Sequence, residues 1–190
     1  VNPFGSAFDS LFNIFTADCH SKPLTQLLRG GFYQSFGKPH DGLGYVPSMM
    51  EHSHGSTAIC GAAIVETENF PPEYRGQILS GNVMTSRLNR NTFVYHGSTI
   101  QAKEEPDFLS CDDPWFRPVD LHIGPDGALY MSDFYNRIIG HYEVPLPHPG
   151  RDRTSGRLWR IVYKGDAAGT KPAKMPPPLV EMPTNKLIEA

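Results

Sequence analysis

The stretch Phe116-Arg117-Pro118-Val119-Asp120-Leu121-His122-Ile123-Gly124-Pro125-Asp126-Gly127-Ala128-Leu129-Tyr130-Met131-Ser132-Asp133 carries a strand period twice. Val119, Leu121 and Ile123 alternate with polar neighbours, as one face of a half-buried strand must. Pro125-Asp126-Gly127 then supplies turn chemistry, since proline fixes φ and Asp-Gly tolerates the positive φ of tight hairpin turns. Leu129 and Met131 resume the alternation and deliver Asp133 to the far end of a second strand. The unit is a short hairpin that presents a carboxylate at one rim of a sheet.

The same unit opens the chain. Asn2-Pro3-Phe4-Gly5-Ser6-Ala7-Phe8-Asp9, continued through Asn13-Ile14-Phe15-Thr16-Ala17-Asp18, aligns with residues 117–133 without a gap. Pro3 falls on Pro118, Phe8 on Ile123, Ile14 on Leu129, Phe15 on Tyr130 and Asp18 on Asp133. A weaker middle copy runs over residues 57–65 and Gln77-Ile78-Leu79-Ser80-Gly81-Asn82, with Asn82 in place of the aspartate. Rim residues recur at steps of roughly 50 to 65 residues, a period that points to propeller blades. The expected fold is all-β: a partial β-propeller of about three four-stranded antiparallel blades.

A chain of 190 residues is long enough for one ordinary core. A closed propeller needs at least about four blades, so this sequence reads as the C-terminal part of one, over residues 1–165. Residues 166–185 are rich in Ala, Gly, Lys and Pro and read as a linker. Residues 186–190 read as the start of a helix that opens a following domain. The net charge of −3 and the lack of any basic run argue against a nucleic-acid groove. No apolar run reaches bilayer length, so no transmembrane segment is expected. Cys19, Cys60 and Cys111 are odd in number and lack metal-ligand spacing, which suits packed or free thiols.

Between the hairpins, Leu24, Leu27 and Leu28 suit either a short helix or a further strand. Residues 40–55 form a long connection holding His40, Asp41, Glu51, His52 and His54, and loops of that length are commonly functional. Lys103-Glu104-Glu105-Pro106-Asp107 reads as a charged crossing between elements. The last strand expected is Gly156-Arg157-Leu158-Trp159-Arg160-Ile161-Val162-Tyr163.

His52 and His54, two apart on extended chain, point the same way and make candidate catalytic or metal-binding imidazoles. Their alternative is a polar loop that packs its histidines by hydrogen bonding. Asp133 is a candidate base, and Asp18 and Asn82 at equivalent strand ends are candidate Ca²⁺ ligands. The competing explanation is a repeated hydrogen bond from backbone N–H groups, expected wherever a blade is repeated. Arg87, after the middle rim position, could clamp a carboxylate or phosphate; solvated surface arginines are commoner.

Several stretches together resemble a planctomycete/verrucomicrobial membrane-bound dehydrogenase domain related to glucose/sorbosone dehydrogenases, the soluble quinone-dependent sugar dehydrogenases. They are Asn2-Pro3-Phe4-Gly5, Ala17-Asp18-Cys19-His20-Ser21-Lys22-Pro23, Glu51-His52-Ser53-His54-Gly55, Phe70-Pro71-Pro72-Glu73-Tyr74-Arg75-Gly76, Gly124-Pro125-Asp126-Gly127-Ala128-Leu129-Tyr130 and Asp133-Phe134-Tyr135-Asn136. The resemblance implies a six-bladed propeller that holds pyrroloquinoline quinone with Ca²⁺ beside it and oxidises a sugar or related alcohol. It also implies an extracytoplasmic or periplasmic setting, and later helical-repeat and haem c domains that lie outside this chain. By the same resemblance Asn2, His20, Arg87 and Tyr135 would contact the cofactor. The partners expected are thus a carbohydrate-like small molecule, the rest of the propeller and those later domains. The alternative is a propeller that binds extracellular carbohydrate or a protein and performs no chemistry.

Overall fold

A computed structural model describes residues 3–19, 22–33, 45–51, 54–55, 58–140, 143–175, 178, 180 and 182–187. Among the described residues, ten strands build three antiparallel sheets. The first sheet holds β1 (Pro3–Phe8), β2 (Ile14–Asp18) and β3 (Leu24–Leu27) in the order β1-β2-β3. The middle sheet runs β4 (Ile59–Ile64), β5 (Ile78–Asn82), β6 (Arg87–His96) and β7 (Thr99–Ser110). The third holds β8 (Pro118–Ile123), β9 (Leu129–Asp133) and β10 (Arg157–Ile161), ordered β10-β9-β8. Four strands are reached only in the middle sheet among the described residues. A four-residue helix, α1 (Thr184–Leu187), lies near the end, and no described helix is long and apolar enough to cross a membrane.

The middle sheet is sandwiched, and its sequence shows why. Every residue of β4 and β5 is buried, and alternate side chains of a strand face opposite ways. Ala62, Ile64 and Ile78 join Phe15, Ala17 and Leu24 in one core against the first sheet. Ala63, Val65 and Leu79 join Leu121, Leu129 and Met131 in a second core against the third sheet. Phe15 stacks on Phe93 across the first of these, with ring centroids 4.6 Å apart. Leu24, in a stretch open to either helix or strand, is fully buried on β3.

The opening strands of the three sheets, β1, β4 and β8, lie side by side. Their backbones approach too closely for side chains between them. A Cβ placed on Gly5 would lie 2.5 Å from Cα of Gly61, and one on Gly61 would lie 2.5 Å from Cα of Asp120. Register irregularities fall at matching places, between Pro3 and Gly5 in β1 and between Pro118 and Asp120 in β8. A bulge kept at one position of a repeated unit bends each opening strand in the same way.

Two expectations change. The charged run 103–107 is no crossing but part of β7, which pairs with β6 from Thr99 to Ser110. As the outermost strand of its sheet, β7 has one edge and much of one face in solvent, so charge and Pro106 are tolerated there. The start of the stretch read as a linker is tied down. The Lys171 amide donates to the Glu68 carbonyl (2.7 Å), Asn69 Nδ2 donates to the Lys171 carbonyl (3.2 Å), and Arg75 Nη2 donates to the Gly169 carbonyl. Glu68 and Asn69, with Arg75 of the Phe70–Gly76 motif and its 3-10 turn Pro72–Tyr74, thus anchor the chain leaving β10.

Candidate functional site at the rim of the third sheet

The three rim residues occupy equivalent places. Asp18, Asn82 and Asp133 close β2, β5 and β9, opposite Pro3, Ile59 and Pro118 at the starts of the neighbouring strands, and all three are buried. Asp133 Oδ1 accepts from the amides of Arg117 (2.8 Å) and Tyr135 (2.9 Å), and Oδ2 accepts from Trp159 Nε1 (3.1 Å). Asn82 Oδ1 accepts from the Thr85 amide (3.2 Å), and its Nδ2 donates to the His54 carbonyl (3.2 Å) and Asn89 Oδ1 (3.1 Å). Both residues therefore cap the turn that leaves their strand. A buried carboxylate that accepts from three N–H donors orders the chain around it.

What Asp133 orders is an aromatic and cationic cluster. Its bond to the Tyr135 amide helps hold Tyr135 at φ 44°, a conformation that L residues seldom adopt. In β10, Arg157 pairs with Asp133 in the ladder, and Trp159 lies two residues on, so both project to the same side. The Arg157 guanidinium sits 3.4 Å from the Tyr135 ring centroid and 5.8 Å from that of Trp159. Trp115 meets Tyr135 at 5.6 Å between centroids, with the rings tilted by 46°. Arg157 and Trp159 are exposed, the latter 42%.

The base of the cluster is fastened to the middle sheet. Arg117 Nη1 donates to the Val83 carbonyl (2.5 Å) and its Nε to the Asn136 carbonyl (3.0 Å). Burial lowers the Arg117 guanidinium from its ordinary value, against the opposing pull of Asp133 and Asp113. Ser86 Oγ adds a bond to the Phe116 carbonyl (3.0 Å). Flat π faces beside a solvent-facing guanidinium can grip a planar anion or the apolar face of a sugar ring.

The residues singled out by sequence divide as follows. Tyr135 and Asp133 belong to the cluster. Arg87 stands opposite Asn82 in the middle sheet and is paired with Asp107 at 2.7 Å, away from Tyr135's sheet. His54 is buried; its Nε2 lies 3.0 Å from Asn91 Oδ1 and its Nδ1 3.5 Å from Glu104 Oε1. It has the surroundings of a packed histidine held by β5, β6 and β7. Asn2, His20 and His52 lie outside the described residues. Asp18 and Asn82 stand in different sheets, and the described residues include no group of three His, Cys, Asp or Glu side chains able to hold a metal.

Sequence reasoning misses Trp115, Arg117, Arg157 and Trp159. A signal for one of them exists: Arg157 opens the third strand of its sheet opposite Asp133 just as Arg87 does opposite Asn82.

Solved structures share the fold. An oxidoreductase described as a glucose dehydrogenase, from Thermus thermophilus, superposes with a TM-score of 0.58 at 20% identity, over 84% of this chain and 43% of its own. A second glucose dehydrogenase gives 0.54 at 21% identity, over 84% of this chain and 44% of that one. The chain therefore spans less than half the length of each, and the antiparallel sheets correspond to a section of a sugar-dehydrogenase-like propeller. No curated protein matches. The family described as a domain of unknown function, DUF7133, matches residues 21–165, and the chain belongs to it.

Proposed function

We propose that this chain is a section of an oxidoreductase propeller that oxidises a sugar or related alcohol and passes the electrons to a haem or other acceptor, outside the cytoplasm. The observation that carries the reading is the rim cluster, where Arg157 lies over Tyr135 beside Trp115 and Trp159. It rests on a fold otherwise met in glucose dehydrogenases.

Pyrroloquinoline quinone is a flat polycarboxylate, and the donor set suits it in kind: π faces for the ring and a guanidinium for a carboxylate. Bound, it would supply the hydride acceptor. Tyr135 and Trp115 would offer stacking surface, and Arg157 would orient the ligand through charge. Asp133 acts through others, holding the Tyr135 amide and the Trp159 indole in place. Calcium does not fit the described residues. Asn82 and Asp133 already use their oxygens on N–H donors, and no group of three His, Cys, Asp or Glu side chains among the described residues could hold the ion.

The test uses the complete propeller. Sugar-dependent reduction of an artificial acceptor should require added quinone, and Arg157→Ala should weaken quinone binding at least about tenfold, the worth of one charge-assisted contact. Unchanged quinone affinity in Arg157→Ala would remove the cluster from the cofactor site. The second reading, a carbohydrate-binding propeller without chemistry, is favoured by the burial of His54 and the committed hydrogen bonds of Asp133. Glycan affinity lost in Trp159→Ala, with no turnover under any acceptor, would select it.

A further inference from the structure

The third strands of the middle and third sheets repeat each other in sequence and in pairing. Arg87-Leu88-Asn89-Arg90 opens β6, and Arg157-Leu158-Trp159-Arg160 opens β10. Arg87 and Arg90 pair with Asn82 and Leu79, and Arg157 and Arg160 pair with Asp133 and Tyr130, the same places in the two ladders. The third residue of each run bonds to its rim residue. Asn82 Nδ2 donates to Asn89 Oδ1 (3.1 Å), and Trp159 Nε1 donates to Asp133 Oδ2 (3.1 Å). The two strands differ in what covers them. β7 lies on the outer edge of β6 and brings acceptors to its polar side chains: Arg87 Nη1 meets Asp107 Oδ2 (2.7 Å), Asn89 Nδ2 donates to Asp107 Oδ1 (2.7 Å), and Arg90 Nε donates to the Pro106 carbonyl (2.9 Å). β10 ends its sheet, and no described strand pairs with its outer edge. Arg160 has Asp126, but Arg157 meets no carboxylate among the described residues. Its guanidinium lies over the Tyr135 ring, and stacking leaves N–H donors in the guanidinium plane for an acceptor.

We propose that the free edge of β10 is a docking site for an extended acidic segment from outside this chain, which adds antiparallel as a fourth strand and sets a carboxylate against Arg157. The main-chain N–H and C=O groups of an edge strand supply the affinity for such an addition, and side chains supply the choice of partner. β7 gives the pattern that the segment follows, Glu104-Glu105-Pro106-Asp107, in which proline is tolerated because the strand is outermost. The match is one of charge: the edge carries Arg157 and Arg160, and the covered counterpart of Arg157 is satisfied by Asp107. A second copy of β10 does not suit, since it would bring two further arginines and no carboxylate to an edge that already carries both. The docking needs no quinone and stands apart from the oxidation proposed above.

The full chain is titrated with a synthetic peptide of the β7 sequence, Thr99–Ser110, without quinone. Binding is read from the fluorescence of Trp115 and Trp159, since the peptide contains no tryptophan. A saturable change is expected. The Asp107→Lys peptide should bind at least about tenfold more weakly, and Arg157→Glu in the chain should invert that preference. Methylating alternate peptide nitrogens separates strand addition from charge attraction. Of two peptides methylated at opposite sets of positions, one should keep its affinity and the other lose it. No saturable binding up to about 1 mM would overturn the proposal. Equal affinity for the acidic and lysine peptides would also overturn it, as would equal affinity for the two methylated ones. A dimer of the native chain that is lost in Arg157→Glu and unaffected by the peptide would assign the edge to a second copy instead, and the proposal would fall.

Discussion

The first and third hairpins are the same turn built from different residues. In the first, the Asp9 amide donates to the Asn13 carbonyl (3.2 Å) and the Phe12 amide to the Asp9 carbonyl (2.9 Å). In the third, Gly124 donates to Ala128 (2.8 Å) and Gly127 to Gly124 (2.9 Å), the same two bonds at corresponding positions. The residue that must turn left is Gly127 at φ 80° in one and Phe12 at φ 61° in the other. Glycine takes that conformation freely, whereas a side chain is strained there. The first turn offsets the strain with Asp9, whose Oδ1 accepts from the Leu11 (3.0 Å) and Asn13 (2.8 Å) amides. The third adds an ion pair between the buried Asp126 and the exposed Arg160, in which Asp126 Oδ2 meets Arg160 Nη2 at 2.7 Å and Nε at 2.8 Å. Backbone hydrogen bonding thus defines the repeated unit, and each copy finds its own side chains to hold it.

The strongest way to break the equivalence is at the strand end. Asp133→Ala strands three N–H donors, two of them on the half-buried Arg117 and Tyr135, and should cost about 3 kcal/mol, measured by urea denaturation. Its near-ultraviolet circular dichroism should also change as Trp159 loses its partner. A cost under about 1 kcal/mol would show that the cap is dispensable.

Next comes the turn itself. Gly127→Ala puts a Cβ 2.6 Å from Thr67 Oγ1 at a positive φ, and should destabilise by about 1–2 kcal/mol. Unaltered stability would mean that the turn relaxes to another form.

The ion pair separates the hairpins by pH. Burial acts to raise the Asp126 carboxyl, but the Arg160 hydrogen bond, the Ala128 amide and the Arg160 charge outweigh it, and the net shift is downward from the ordinary 3.8. A carboxyl lowered in the folded state adds stability that is fully present above its unfolded value. That contribution is lost as pH falls through the folded value, because the unfolded chain takes up the proton first. Thermal midpoints of the native chain should therefore drop more steeply below about pH 4 than those of Asp126→Asn, and parallel curves would deny the pair this role.

The smallest effect is the repair of the first turn. Phe12→Gly should stabilise by up to about 1 kcal/mol, since it removes left-handed strain and exposes less apolar surface, though the unfolded chain gains freedom. Destabilisation would show that Phe12, 83% exposed as it stands, has a packing role.

The hairpins are legible in sequence because everything they need is local: period-two alternation, a turn, and an acid or amide at the strand end. The ungapped match locates Asp133, which caps β9, and the weaker middle copy locates Asn82, which caps β5. The rim cluster is less legible. Tyr135 stands out, but Arg157 is reached only after the long connection that leads to β10, and its choice of the Tyr135 ring depends on how that strand pairs. His54 looks exposed in sequence because its neighbours are glycine, serine and histidine. Its burial comes from Asn91 and Glu104, which lie on β6 and β7. The stretch 166–185 reads as a linker because composition records side chains, while the anchors near its start are main-chain groups of Gly169 and Lys171 bonded to Glu68, Asn69 and Arg75.

The contact of Gly5, Gly61 and Asp120 has a consequence for how such a protein can change. Where the opening strands meet main chain to main chain, the clearance is set by the polypeptide itself, and no side-chain substitution can widen or narrow it without parting whole sheets. Variation must then be confined to the turns that follow Asn82 and Asp133, while the spacing of the strands behind them stays a fixed gauge.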